Sequence, residues 1–326
     1  MWGVWRGSVA EAARPGGVMR VGLQTWGSAG DIRPFVALAK ALKRAGHEVA
    51  LAATAVDGRD WSGLCQSLGV PFEPVQEPGV VDLRRFTRRA GGGAAFPRAV
   101  NVFIEEMLLG HVDAMTSAAR RLCETCDVVV GHFAVFALKA QALRLGRAHA
   151  SVTFWPGMIL TDQCPPHGFP NWGPLWNRMA WKVMRALVDR LALSHAQKVW
   201  RGAGLRPFRF IAPEVWFSDR LNLVAASPAL WPAPGGWDGR HRLCGWLGLE
   251  ESRPWAPSGA LERFFEAGEA PVFMTLGSAA QVAAGRAEAL LMEAARRSGA
   301  RAIVQSLEPG VEGEVAPGVF RLGPAP

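Results

Sequence analysis

The sequence predicts an α/β chain of two doubly wound parallel-sheet domains, the second of them incomplete. Three observations carry this. Strand-like apolar runs alternate with helical periodicities from residue 20 to residue 227. The first repeat, Arg20 to Ala53, reads strand, glycine-bounded loop, amphipathic helix and strand. A second series opens at Pro271–Ser278 and reaches only two further strands. Alternation of this kind is the pattern of a parallel sheet with helices on its faces.

The elements follow in order. Arg20–Thr25 is a short run suited to a buried strand. From Pro34, the apolar residues Phe35, Leu38, Ala39 and Leu42 recur at i, i+3, i+4 and i+7, one face of a helix; Gly46 closes it and His47–Ala53 starts the next strand. Asp60–Leu68 reads as a helix and Val70–Val75 as a strand. Asp82–Pro97, basic and glycine-rich, reads as a surface loop. Val100–Cys123 is a long helix leading into the strand Asp127–Gly131, and Phe133–Leu145 is a helix leading into His149–Phe154. Asn171–Arg201 is helical, with Trp176, Met179, Ala180, Val183, Met184, Leu187 and Leu191 on one face and arginines and lysines between them. Leu221–Ala226 is a further strand. In the second series come a short helix Leu261–Glu266, the strand ending at Gly277-Ser278, a helix Arg286–Arg297, and the strands Ala302–Ser306 and Val319–Leu322.

A parallel sheet places ligands at the carboxyl ends of its strands, where Gly27-Ser28-Ala29-Gly30-Asp31 falls. The loop is not a P-loop, which needs Gly-Lys-Ser/Thr where this chain has Gly-Asp-Ile. A dinucleotide fingerprint needs G-x-G-x-x-G and an acid closing the second strand; here the loop reads G-S-A-G-D and Asp57 follows the strand by a few residues. Asp31 suits a helix N-cap and equally a site carboxylate, and the two roles are compatible.

The segment T-W-G-S-A-G-D-I-R-P…L-x-x-A-G-H-E-V resembles the amino-terminal signature of GT-B glycosyltransferases, in the branch of sterol glucosyltransferases and of glycopeptide and macrolide antibiotic glycosyltransferases. The resemblance runs over nearly all of Arg20–Pro326. It implies two Rossmann-like domains: a loose extension at residues 1–18, an acceptor-binding domain at 19–227, a linker at 228–260 and a partial nucleotide-sugar domain at 261–326. It implies Asp31 as catalytic base. Ser28 and Gly30, together with Gly277 and Ser278 in P-V-F-M-T-L-G-S, would then meet the donor diphosphate. The loop W-P-G-M-I-L-T-D-Q-C-P-P-H-G-F-P is similar to the family's acceptor-side loop, so Trp155, Met158 and Phe169 are expected to wall a hydrophobic acceptor. His241-Arg242-Leu243-Cys244-Gly245-Trp246 resembles the turn that opens the second domain. The family's glycine-rich H-x-G-G-x-G-T motif is absent from this sequence.

Composition bounds the rest. The chain has 326 residues, 49% hydrophobic and 20% charged, with a net charge of +8, as befits a globular protein with sizeable cores. No apolar run is long enough to span a bilayer. The first residues lack a signal-peptide core, and Met19 is a natural start. Five scattered cysteines argue for a reducing, cytoplasmic setting. Cys123-x-x-Cys126 has no second pair in zinc spacing, so no metal is expected. The positive charge suits a nucleotide sugar or, through the basic helix Asn171–Arg201, peripheral contact with a membrane surface; no motif accompanies it for nucleic acid. Fourteen tryptophans without a tyrosine have no functional account.

The expected function is inverting transfer of a hexose from a UDP- or dTDP-sugar to a hydroxyl of a lipophilic acceptor, without a cofactor. The alternatives are an acceptor-binding remnant without turnover and, less favoured, a nucleotide-dependent oxidoreductase.

Overall fold

The computed structural model describes residues 17–75, 105, 109–166, 168–231, 237–249, 255–276, 284–306 and 312–323. They fall into two compact units, one running to Leu249 and the other lying beyond it.

The first unit holds β1 (Arg20–Gly27), α1 (Ala29–Arg44), β2 (Glu48–Ala55), α2 (Ser62–Ser67), β3 (Phe72–Pro74), α3 (Val112–Thr125), β4 (Val128–His132), α4 (Phe136–Arg144), β5 (Ala148–Thr153), α5 (Pro174–Gly202), α6 (Ile211–Glu214), β6 (Leu221–Val224) and β7 (His241–Leu243). Its sheet has the order β3-β2-β1-β4-β5-β6-β7, and every neighbouring pair is parallel. The order reverses between β1 and β4, the switch point at which such sheets open a crevice. Seven of the eight residues of β1 are buried, because a parallel strand is covered on both faces. Leu23, Leu51, Val130 and Val152 meet Ile32, Phe35 and Val36 of α1 in one core.

Helix α1 starts at Ala29, five residues before Pro34. Pro34 therefore lies inside the helix, where its missing amide removes a bond to the Gly30 carbonyl. The expected apolar face stands: Phe35 and Ala39 are buried, and Leu38 and Leu42 pack against the same core.

Two other expectations are corrected. Residues 228–260 read as a linker, yet His241–Leu243 forms β7 and pairs with β6. In α5 the inward residues are Asn177, Ala180, Trp181, Ala196 and Trp200, while Met179 and Val183 of the expected apolar face are each 55% exposed. Side chains from this inward row bind the preceding loop: Asn177 Nδ2 donates to the Asp162 carbonyl at 2.9 Å and Trp181 Nε1 to that of Cys164 at 2.9 Å. Those bonds, not hydropathy alone, fix the rotation of the helix.

The second unit holds α7 (Gly259–Glu266), β8 (Val272–Met274), α8 (Ala284–Ser298), β9 (Ala302–Gln305), β10 (Gly313–Ala316) and β11 (Val319–Leu322). Strand order is β10-β11-β9-β8; β8, β9 and β11 are parallel and β10 is antiparallel to β11. The parallel order β8-β9-β11 repeats β1-β2-β3 of the first unit. Leu261, Phe264, Ile303, Phe320 and Leu322 form one small core, and Ala295, Ala302, Val304 and Val319 another. The segment 82–97, Gly277 and Ser278 lie outside the described residues.

Candidate active site

The loop after β1 is shaped by one glycine. Gly27 has φ +135°, and a Cβ there would fall 2.2 Å from Asp31 Oδ2. Only glycine lets the Asp31 carboxylate fold back over the strand end. The N-cap of α1 is Ser28, not Asp31; Asp31 is the third helical residue and closes a capping box. Its Oδ2 accepts from the Ser28 amide at 2.8 Å and from Ser28 Oγ at 3.3 Å. This satisfies an amide that the helix leaves open. A second carboxylate serves the same helix end, since the Ala29 amide donates to Asp57 Oδ2 at 3.0 Å. Thr25 Oγ1 donates to the Asp31 carbonyl at 3.0 Å and holds the turn against β1.

Opposing effects set the acidity of Asp31. Burial raises its pKa and is the largest effect; the Ser28 bonds lower it, and the Asp57 charge raises it again. The result lies above the ordinary aspartate value. A helix N-terminus alone favours the carboxylate, which would make a weak base; desolvation reverses that outcome.

His132 ends β4, beside β1, with Nε2 at 3.8 Å from Asp31 Oδ1. It is buried and its pKa is driven down to about 3 by desolvation, so the imidazole is neutral. Nδ1 accepts from the Ala134 amide at 3.3 Å, which assigns the proton to Nε2, on the side of Asp31. Phe154 stacks on the ring at 5.5 Å with a 30° interplanar angle, and Phe133 lies at 4.5 Å. Sequence reasoning missed this residue: the expected strand stopped at Gly131, and the signal was a lone histidine one position on. Asp57, which the sequence sets a few residues past the end of the second strand, proves to serve the start of α1.

The structure thus gathers Ser28, Gly30 and Asp31 on one helical turn. At Gly30 an added Cβ would meet nothing nearer than Ser28 Oγ at 3.9 Å. The expected acceptor residues are less united. Trp155 follows β5 and is 42% exposed. Its indole folds over Gly157, where a Cβ would lie 2.1 Å from Nε1. Met158 turns inward instead and packs against Ile159, Phe217 and Val224, because its turn is held by bonds back to Trp155 and Pro156. Phe169 is half-buried on a turn whose amide reaches the Pro166 carbonyl at 3.1 Å. Among the described residues no three His, Cys, Asp or Glu side chains form a metal-binding group.

Residues 21–138 match the glycosyltransferase family 28 N-terminal domain. O-mycaminosyltylonolide 6-deoxyallosyltransferase of Streptomyces fradiae is 31% identical over 280 residues, 80% of this chain and 61% of that protein. A sterol 3-beta-glucosyltransferase of Aspergillus fumigatus is 26% identical over 275 residues, 81% of this chain and 19% of that protein. Among solved structures, the glycotransferase of kitacinnamycin aligns with a TM-score of 0.60 at 16% identity, covering 93% of this chain and 70% of that one. The chain spans about three-fifths of the length of the Streptomyces relative.

Proposed function

We propose, from the match of residues 21–138 to the glycosyltransferase family 28 N-terminal domain and from the GT-B fold, that the chain takes part in inverting hexosyl transfer from a UDP- or dTDP-sugar to a hydroxyl of a lipophilic acceptor. The acceptor is a sterol or a polyketide-like aglycone; the relatives above are named for a tylonolide derivative and for sterol.

The observation that carries the reading is the state of Asp31: its side chain 32% exposed, held by Ser28, and with its pKa raised by burial. Asp31 takes the proton of the acceptor hydroxyl. The acceptor oxygen bonds to the anomeric carbon as the bond to the diphosphate oxygen breaks, and the nucleoside diphosphate leaves with that electron pair. General base catalysis of this kind contributes about 10²–10⁴-fold.

In this reading Ser28, Gly30, Gly277 and Ser278 receive the donor diphosphate. The open face of Gly30 leaves room for a phosphate, while Gly277 and Ser278 enter from the sequence pattern P-V-F-M-T-L-G-S alone. Trp155 and Phe169 wall the acceptor side, with Met158 bracing the turn from behind. The setting is cytoplasmic, in keeping with five free thiols. Contact with a bilayer is peripheral, since among the described residues no helix is long and apolar enough to cross one.

A second reading is acceptor binding without turnover. The test is incubation with a panel of UDP- and dTDP-hexoses and aglycones, read by mass spectrometry. Glycosylated product from the native chain, lost in Asp31→Asn while donor binding persists, supports transfer. Acceptor binding with no product from any donor supports the second reading.

A further inference from the structure

The amino-terminal half of α5 carries two rows of side chains that the unit does not use for packing. Asn177, Ala180 and Trp181 face inward. On the far side Leu175, Met179 and Val183 follow one another at i, i+4 and i+8 and are 79%, 55% and 55% exposed; Trp172, just before the helix, is 71% exposed. At about 100° per residue, Arg178, Lys182 and Arg185 form a second row between this stripe and the buried face. None of the three has an ion-pair partner among the described residues. With Thr161, Asp162 and Trp181 they line a cavity of about 420 Å³. Asp162 is the carboxylate in that lining, against three cations. The Arg185 guanidinium is held in place, 4.0 Å over the Phe210 ring.

An exposed apolar stripe of this kind marks an interaction surface rather than ordinary solvent-facing helix. The cations beside it decide the partner. An acidic surface neutralises them, while a neutral apolar partner would leave them uncompensated, and the whole chain is already at +8. A helix with Trp, Leu, Met and Val on one side and a flanking Arg/Lys row matches the physics of an interfacial helix.

We propose that this face docks on an anionic phospholipid bilayer. Trp172, Leu175, Met179 and Val183 enter the boundary between headgroups and acyl chains, and Arg178, Lys182 and Arg185 meet lipid phosphates, the cavity between them seating a headgroup. This names the surface for the peripheral contact given above. It rests on no chemistry at Asp31, so the test uses no turnover and its failure leaves the transfer reading untouched.

The full chain is sedimented with vesicles of phosphatidylcholine alone or with phosphatidylserine added, at low and high salt. Binding is expected to be at least tenfold tighter on the anionic vesicles and to weaken with salt. The triple variant Arg178→Gln, Lys182→Gln, Arg185→Gln should lose about fivefold per cation, on the order of a hundredfold together. The double variant Met179→Ser, Val183→Ser alters only exposed positions; it should keep the native circular dichroism spectrum and also lose binding. No sedimentation with either vesicle, equal binding to both, or variants that bind like the native chain would overturn the proposal. Concentration-dependent dimers abolished by Met179→Ser, Val183→Ser in the absence of lipid would instead assign the face to a second copy of the chain.

Discussion

Asp31 Oδ1 lies 3.8 Å from His132 Nε2, too far for a hydrogen bond and close enough for the N–H dipole to act on the carboxylate charge. Two strands make the pairing. Gly27 at the end of β1 turns the carboxylate back, and β4 delivers the histidine from the neighbouring strand. Desolvation affects the two groups in opposite directions, raising the acid and lowering the imidazole. Both shifts disfavour the charged form. The pair is therefore an acid with enhanced basicity beside a neutral dipole, and not an ion pair.

His132→Phe keeps an aromatic ring against Phe154 and removes the Nε2–H. The Nε2–H dipole favours the charged carboxylate over the protonated acid, so its removal should raise the Asp31 pKa further and carry the acid limb of kcat/KM to higher pH, with donor KM unchanged. Steady-state kinetics on the purified variant measure both. A rise in KM with constant kcat would assign His132 to ligand binding instead.

The two loop glycines are expected to behave oppositely. Gly27→Ala places a methyl 2.2 Å from Asp31 Oδ2 at φ +135°. It should lower stability by about 1–3 kcal/mol and displace the carboxylate, so activity falls with it. Gly30→Ala meets open space within α1 and should gain about 0.5–1 kcal/mol from helix propensity. Its cost should appear only in donor affinity, where the methyl would meet the diphosphate. Thermal melts and donor titrations of the pair separate the two effects.

Beside the equally buried His149, whose pKa is also driven down to about 3, acid unfolding of this protein should have a contribution from His132. Its folded pKa is about 3, against about 6.5 in the unfolded chain, so the unfolded state takes up the proton first. The sign follows: stability is full above pH 6.5 and is lost as pH falls toward 3. At pH 5 the loss from this one group is about 2 kcal/mol. Urea midpoints at pH 7 and pH 5 measure it, and His132→Phe should reduce the difference by that amount.

Sequence alone made the first βαβ repeat legible because its signals are local. Phe35 and Ala39 fall at helical spacing, and Gly46 takes φ +88° just past the end of α1. The loop acid was legible for the same reason, but its place on the helix was not. Ser28 and Asp31 both suit a cap, and only the backbone shows which of them holds the N-cap. Strand β7 was missed because three residues, His241–Leu243, carry no periodicity; the pairing partner β6 defines them. The β10–β11 hairpin was half-read for the same reason. In α5 the apolar positions were found, but the loop carbonyls of Asp162 and Cys164 selected a different inward row. His132 belongs to this non-local class too, since only the sheet order sets β4 beside β1.

The most direct test of Asp31 as base is the pH dependence of kcat/KM for transfer by the native chain and by Asp31→Asn. The native profile should rise with unit slope through a single midpoint above the ordinary aspartate value, in the direction of the raised Asp31 pKa, and then level off, while Asp31→Asn should show no such limb and at least about 10²-fold lower rate. A native profile that is flat across this range, or one that Asp31→Asn reproduces, would contradict the assignment and leave Asp31 as the closing residue of a capping box.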